Sequence, residues 1–151
     1  MNEYSIRLAT WRDDGPALQA IRRAVFIVEQ RVPENLEWDD VDESCVHALA
    51  HDARGAPIGC GRLLPDGHIG RMAVLAGWRG CGVGEALLMR LIAVARERGD
   101  ARILLNAQVQ AMPFYARHGF APVGPPFDEA GIPHQAMGLV LRAAAGSTTK
   151  R

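Results

Sequence analysis

Three glycines alternate with other residues in the run Arg79-Gly80-Cys81-Gly82-Val83-Gly84, and no other feature constrains this chain as strongly. An apolar, strand-like stretch from Ile69 to Leu75 leads into the run. An amphipathic helical pattern from about Glu85 to Arg98 follows it. Glycine at such a junction lets the backbone approach a ligand, because no Cβ intervenes. The first N–H groups of the helix lack intrahelical partners and lie at the positive end of its dipole. Strand, glycine loop and helix together form an anion seat, most often for phosphate. A Walker loop would end in Gly-Lys-Ser/Thr, whereas Gly84 is followed by Glu85 and Ala86. A dinucleotide fingerprint needs Gly-x-Gly-x-x-Gly in the first βαβ unit, with an acidic residue ~20 positions further on. The spacing here differs, and the run lies in mid-chain.

The pattern around the loop predicts a mixed α/β sheet. Tyr4 to Ala9 alternates as a strand. Asp13 or Asp14 is the expected cap of a helix with Pro16 in its first turn, and Leu18, Ile21, Val25 and Val28 form its buried stripe up to Gln30. Pro33 to Ser44 is acidic and irregular, a loop with room for one helical turn. Val46 to His51, Ile58 to Leu64 and Ile69 to Val74 form a meander around the turns at Asp52-Ala53-Arg54-Gly55 and Pro65-Asp66-Gly67. Leu87, Leu88, Leu91, Ile92 and Val94 are the core stripe of the long helix, which Gly99 ends. Arg102 to Val109 follows as a strand, parallel to the one before the glycine loop by the usual crossover geometry. Ala111 to His118 reads as a short helix. Phe120 to Val123 and Gln135 to Leu141 read as strands joined by a Gly/Pro-rich loop. The order is β-α-loop-β-β-β-α-β-α-β-β, with about seven strands.

The 151 residues, 48% hydrophobic, suit one domain with a real core over 1–142, followed by a small, polar and disordered tail over 143–151. Lys+Arg and Asp+Glu are equal at 17 each. No bulk field draws the chain to nucleic acid or an anionic membrane, so any anion site is local. No apolar run approaches the ~18–20 residues of a membrane span, and the start MNEYSIRLAT lacks the layout of a signal peptide. Cys45, Cys60 and Cys81 form no C-x-x-C pair, which points to a reduced, cytoplasmic chain. No His/Cys/Asp cluster has metal-ligand spacing.

This order and these residues resemble the GCN5-related N-acetyltransferase (GNAT) superfamily over nearly the whole chain, to about Arg142. One signature is Arg79-x-x-Gly82-x-Gly84 after Met72-Ala73-Val74. The other is Ala111-x-x-Phe114-Tyr115-x-x-x-Gly119-Phe120. Val25-Phe26-x-x-Glu29-Gln30, the acidic loop and Ile132-Pro133-His134 are similar to the bacterial ElaA-like branch. The resemblance implies a sheet of about seven strands, mostly antiparallel, with about four helices and splayed central strands.

It further implies acetyl-CoA as acyl donor and no metal. Backbone N–H groups from Arg79 through Gly80, Cys81, Gly82, Val83 and Gly84 would hold the pyrophosphate, with charge added by Arg79. The pantetheine arm would lie in the splayed gap, bonded near Met72, Ala73 and Val74, with Asn106 opposite. The Met72 N–H would face the thioester carbonyl as an oxyanion donor. The reaction implied is acetyl transfer to an amine by direct attack in a ternary complex, and Tyr115 would protonate the leaving thiolate.

Two residues are candidates for the base. Glu29 ends an apolar helix face, where a cleft would raise its pKa; the other reading is an exposed helix-end carboxylate. His134 supplies the side-chain type suited to proton transfer near neutral pH, or is a loop histidine bonded to backbone. His47 points either to the cleft or to solvent, and Gln108 satisfies either the ligand or a sheet neighbour. Arg71 either binds an acidic substrate group or pairs with Asp39, Asp40, Asp42 or Glu43. The acidic loop attracts a cationic amine or is a solvated surface. Cys81 is read as a small filler of the glycine loop. The acceptor, a small-molecule or peptide amine, stays open, as does monomer or homodimer. Two other classes also stay open: a CoA-binding sensor without useful turnover, and a nucleotide-binding domain.

Overall fold

The computed structural model describes residues 3–141. The expected tail over 143–151, and residue 142 at the expected domain end, lie outside the described residues. Among those described, eight strands form one sheet: β1 (Tyr4–Ala9), β2 (Val46–Asp52), β3 (Pro57–Leu63), β4 (His68–Val74), β5 (Arg102–Gln108), β6 (Ala121–Pro122), β7 (Phe127–Glu129) and β8 (Ile132–Val140). The path is β1-β2-β3-β4-β5-β8-β6, with β7 also on β8. Every pairing is antiparallel except β4 with β5. The helices are α1 (Trp11–Arg22), continued by a π-helical segment (Arg23–Glu29), α2 (Glu34–Glu37), α3 (Val83–Arg98) and α4 (Met112–Ala116).

The first helix starts earlier than expected. Thr10, not Asp13 or Asp14, is the cap: its hydroxyl accepts the Asp13 N–H at 3.1 Å, and Asp14 accepts the Thr10 N–H at 3.1 Å. Leu18, Ile21 and Val25 are buried as the stripe predicts, but Val28 is 68% exposed. In the π-helical segment the Gln30 N–H reaches back five residues to the Val25 carbonyl, at 3.0 Å. The wider turn shifts the helical phase, so the stripe's next residue rotates away from the core.

The long helix α3 is framed by left-handed glycines, Gly82 at its N-cap (φ 87°) and Gly99 at its C-cap (φ 87°). It lies close over β3, because Gly59 and Gly61 leave room. A Cβ on Gly59 would sit 3.1 Å from side-chain atoms of both Val83 and Leu87, and one on Gly61 would collide with the Met72 sulfur.

Two irregularities in β4 shape the sheet around it. Cys60 pairs with Ala73 but Arg62 with Gly70, so Arg71 and Met72 oppose the single residue Gly61. This is a bulge, and Arg71 takes the left-handed region there (φ 51°). An extra residue reverses the side-chain alternation. Ile69 belongs to the core beneath α3 and Met72 packs against it, while Ala73 joins the core beneath α1. Secondly, β4 and β5 pair only at His68–Leu104 and Ile69–Leu105. Beyond those pairs the strands part, as the splayed central strands require.

The acidic segment Pro33 to Ser44 is a solvated surface only in part: Glu34, Asp39, Asp40 and Glu43 are exposed, whereas Glu37 and Asp42 are buried. Asp42 is 2% and Arg22 1% exposed. Arg22 donates to Glu37 and to Asp42, both at 2.8 Å. Arg62 donates to Asp42 at 2.9 Å and to Asp39 at 2.8 Å. Arg71 approaches Asp39 at 3.3 Å and donates to the Glu37 carbonyl at 2.9 Å. Its Nε lies 3.1 Å from Glu37 Oε2 without hydrogen-bond alignment. Three guanidinium groups against three carboxylates leave the cluster neutral, which is how buried charge is tolerated. The rings of Trp11 and Trp38 flank Arg22 at 5.4 and 5.2 Å.

At the C-terminal side the expected Gly/Pro-rich loop contains a further strand, β7. Ala130 (φ 53°) and Gly131 (φ 77°) form its two-residue turn into β8, the backbone signs of a type I′ hairpin.

Candidate active site

The glycine loop has the backbone geometry expected of an anion seat. Gly80 (φ 80°) and Gly82 (φ 87°) occupy the left-handed region, where a Cβ would be strained. No side chain caps α3. The first N–H to bond back is that of Ala86, to the Gly82 carbonyl at 3.0 Å. Helical geometry therefore directs the N–H groups of Val83, Gly84 and Glu85 forward. They face a cleft of about 500 Å³ whose opposite wall is Phe114, Arg117 and His118 from α4 and the turn after it. Cys81 is half-buried in the loop, its sulfur 3.9 Å from the Arg79 carbonyl.

Arg79 and Glu29 are not two separate site residues. The Arg79 guanidinium grips the Glu29 carboxylate through both terminal nitrogens, at 2.6 and 2.7 Å, and its Nε donates to the Val74 carbonyl at 3.0 Å. Of its two readings, Glu29 fits the exposed helix-end carboxylate and not a desolvated cleft group with a raised pKa. Its hydrogen bonds to Arg79 outweigh a small desolvation cost and hold the carboxyl below the ordinary glutamate value. Glu29 is the partly exposed, ion-paired end of the π-helical segment.

A second cleft, about 600 Å³, opens where β4 and β5 part. Met72, Asn106, Tyr115 and His134 all border it. Burial pushes the Tyr115 phenol up to about 12, so it remains protonated at neutral pH. Its ring is held edge-on by Phe114 at 5.0 Å and Phe120 at 5.9 Å. His134 is buried and stacked on Phe127 at 5.9 Å. Its Nδ1 lies 2.7 Å from the Ile132 carbonyl. A carbonyl only accepts, so Nδ1 carries the hydrogen and the neutral ring keeps its lone pair on Nε2.

The remaining candidates divide. Asn106 is exposed to the cleft, whereas Gln108 donates to Gln30 at 2.9 Å and accepts from Gln110 at 2.7 Å, tying β5 to the chain after the π-helical segment. The Ala73 side chain is buried toward α1, so only its backbone is open to a ligand role. Val74 borders the glycine-loop cleft. His47 points neither to the cleft nor to solvent. It is buried, stacked on Trp11 at 5.7 Å, with Nε2 2.8 Å from the Asp42 carbonyl. Arg71 pairs with the acidic segment, one of its two readings.

Sequence reasoning passed over Arg22, Arg62, Gln30, Arg117 and His118. For Arg62 a signal existed: a lone charge inside the apolar strand Ile58 to Leu64, in a chain with an otherwise unexplained acidic run. Among the described residues there is no group of three His, Cys, Asp or Glu able to hold a metal, and no helix long and apolar enough to cross a membrane.

Residues 11–141 match the family model described as an acetyltransferase (GNAT) domain. The chain is 37% identical over 121 residues to YjcF of Bacillus subtilis, named an uncharacterized N-acetyltransferase, covering 78% of this chain and 86% of that one. The crystal structure of an acyl-CoA N-acyltransferase from Pseudomonas aeruginosa is similar with a TM-score of 0.80 at 29% identity, over 90% of this chain and 99% of that one. Escherichia coli ElaA is similar with a TM-score of 0.79 at 28% identity, over 92% and 99%. With its sheet split between β4 and β5 and an uncapped glycine-loop helix beside the split, this chain belongs to the GNAT family of acetyltransferases.

Proposed function

We propose that the protein moves an acetyl group from acetyl-CoA to a primary amine, on a small molecule or a peptide, by direct attack in a ternary complex. The observation that carries this reading is the parting of β4 and β5, with the glycine-loop cleft on one side and the Tyr115/His134 cleft on the other. The pantetheine arm fits the part of the gap where strand pairing is missing, and the phosphates fit the N–H groups at the start of α3. Bringing thioester and amine together in one cleft supplies much of the rate.

Chemistry then falls to few groups. The neutral amine nitrogen attacks the thioester carbon, and the Met72 N–H stabilises the oxyanion that forms. His134, with its lone pair on Nε2, takes the proton released by the amine, directly or through one water. As the tetrahedral intermediate collapses, the C–S bond breaks and the Tyr115 hydroxyl gives its proton to the departing sulfur. The products are an N-acetyl amide and free coenzyme A. Glu29, paired with Arg79, is not assigned as base.

Calorimetry with acetyl-CoA, followed by turnover across an amine panel, tests the reading. Tyr115→Phe should lower turnover about 100-fold, within the range for one acid–base group, and leave acetyl-CoA affinity unchanged. Unchanged turnover would remove Tyr115 from the mechanism. A wild-type protein that binds acetyl-CoA but acetylates no amine would overturn the acyl-transfer reading in favour of a CoA sensor.

A further inference from the structure

The charges around the glycine-loop cleft do not balance in the way its signature suggests. Arg79 is fully engaged, by Glu29 through two nitrogens and by the Val74 carbonyl through the third. Glu85, in the first turn of α3, points a carboxylate toward the same cleft and is met by His118, whose Nε2 lies 3.4 Å away. Arg117 is left. It is exposed, and among the described residues no carboxylate comes within ion-pair distance of it. Its guanidinium stands 5.8 Å from the centroid of the Phe114 ring. That ring also borders the loop, with its Cζ 3.9 Å from where a Cβ of Gly84 would be. One aromatic ring thus carries the guanidinium and meets the loop whose N–H groups point into the cleft. A planar guanidinium suits phosphate oxygens, which it grips through two parallel hydrogen bonds.

We propose that Arg117, rather than the signature arginine Arg79, is the side chain that binds a phosphate group of the coenzyme A donor in this protein. The inference rests on the acyl-donor reading above and deepens it. The phosphate is either the pyrophosphate or the ribose 3′-phosphate, which share their chemistry toward a guanidinium. Glu85 is turned toward His118, whose Nε2 lies 3.4 Å away, and not toward Arg117.

Calorimetry at fixed low salt with coenzyme A, 3′-dephospho-coenzyme A and adenosine 3′,5′-bisphosphate tests this. Arg117→Gln should weaken coenzyme A binding about tenfold or more, and Arg117→Lys should recover part of the loss. An exposed arginine can be replaced with the fold intact, which circular dichroism checks. If the variant and wild type bind 3′-dephospho-coenzyme A alike, the 3′-phosphate is the partner. If the loss persists with that ligand, the pyrophosphate is. Arg117→Gln binding coenzyme A within about twofold of wild type would overturn the proposal while leaving acyl transfer standing. Arg117-dependent binding of the bisphosphate by a protein that acetylates no amine would sink acyl transfer and keep the phosphate site. Binding of none of the three ligands by folded wild type would overturn both.

Discussion

At Arg79 two demands meet on one side chain. The family signature places an arginine where phosphate binds, while the fold places Glu29 within reach of its terminal nitrogens. An exposed ion pair of this kind contributes at most about 1 kcal/mol. Glu29→Gln should therefore release Arg79 and tighten acetyl-CoA binding, by up to about fivefold, as read by calorimetry. A turnover loss of about 100-fold at unchanged donor affinity would instead restore Glu29 as the base. The pair was illegible in the sequence because its members are 50 residues apart and nothing local marks either as the other's partner. Gly80 and Gly82 were legible for the opposite reason. Their role is set by their own backbone angles and by the helix that starts beside them.

Elements repeat this contrast between local and distant causes. The strands β1 to β5 and the helix α3 follow from period and caps, and their positions agree with the pattern to within a residue or two. The π-helical winding after Arg22 is what carries Val28 out of the core, and no residue in that run announces it. β7 hid in a stretch rich in proline and glycine, because the hairpin's pairing partner supplies its definition. The acidic segment hid most. Its composition reads as solvated, yet it covers the end of α1 and braces Arg71 at the β4 bulge. Asp42 accepts from both Arg22 and Arg62, so Asp42→Ala leaves two buried guanidinium groups short of a counter-charge. A stability loss of about 3–5 kcal/mol is expected in urea unfolding. A loss under about 1 kcal/mol would mean that the cluster tolerates a missing member, as surface pairs do.

For the molecule as a whole, the same cluster sets a response to acid. Burial lowers the His47 pKa below its ordinary value of 6.5, so the folded protein keeps the ring neutral. The unfolded chain takes up the proton as pH falls through 6.5. Stability is then full above that value, declines below it, and levels off once pH is under the folded pKa. The slope is at most about 1.4 kcal/mol per pH unit. His47→Gln has no ring to protonate, so its Tm should fall less than that of wild type between about pH 7.5 and pH 5.5 in scanning calorimetry. Equal slopes in the two proteins would place the acid response elsewhere.

The parted strands bear on stability as well as on catalysis. A sheet open between β4 and β5 exposes backbone groups in its interior of the kind that other sheets expose only at their rims. Arg79 covers one of them, the Val74 carbonyl. On the acyl-donor reading, the missing strand is a small molecule, and the native architecture is completed by the metabolite it consumes. A ligand at about 100 times its Kd adds about 2.7 kcal/mol to the folded state. On that reading the donor's concentration would tune the stability of the fold as well as the rate, and the protein without donor would be the less stable form.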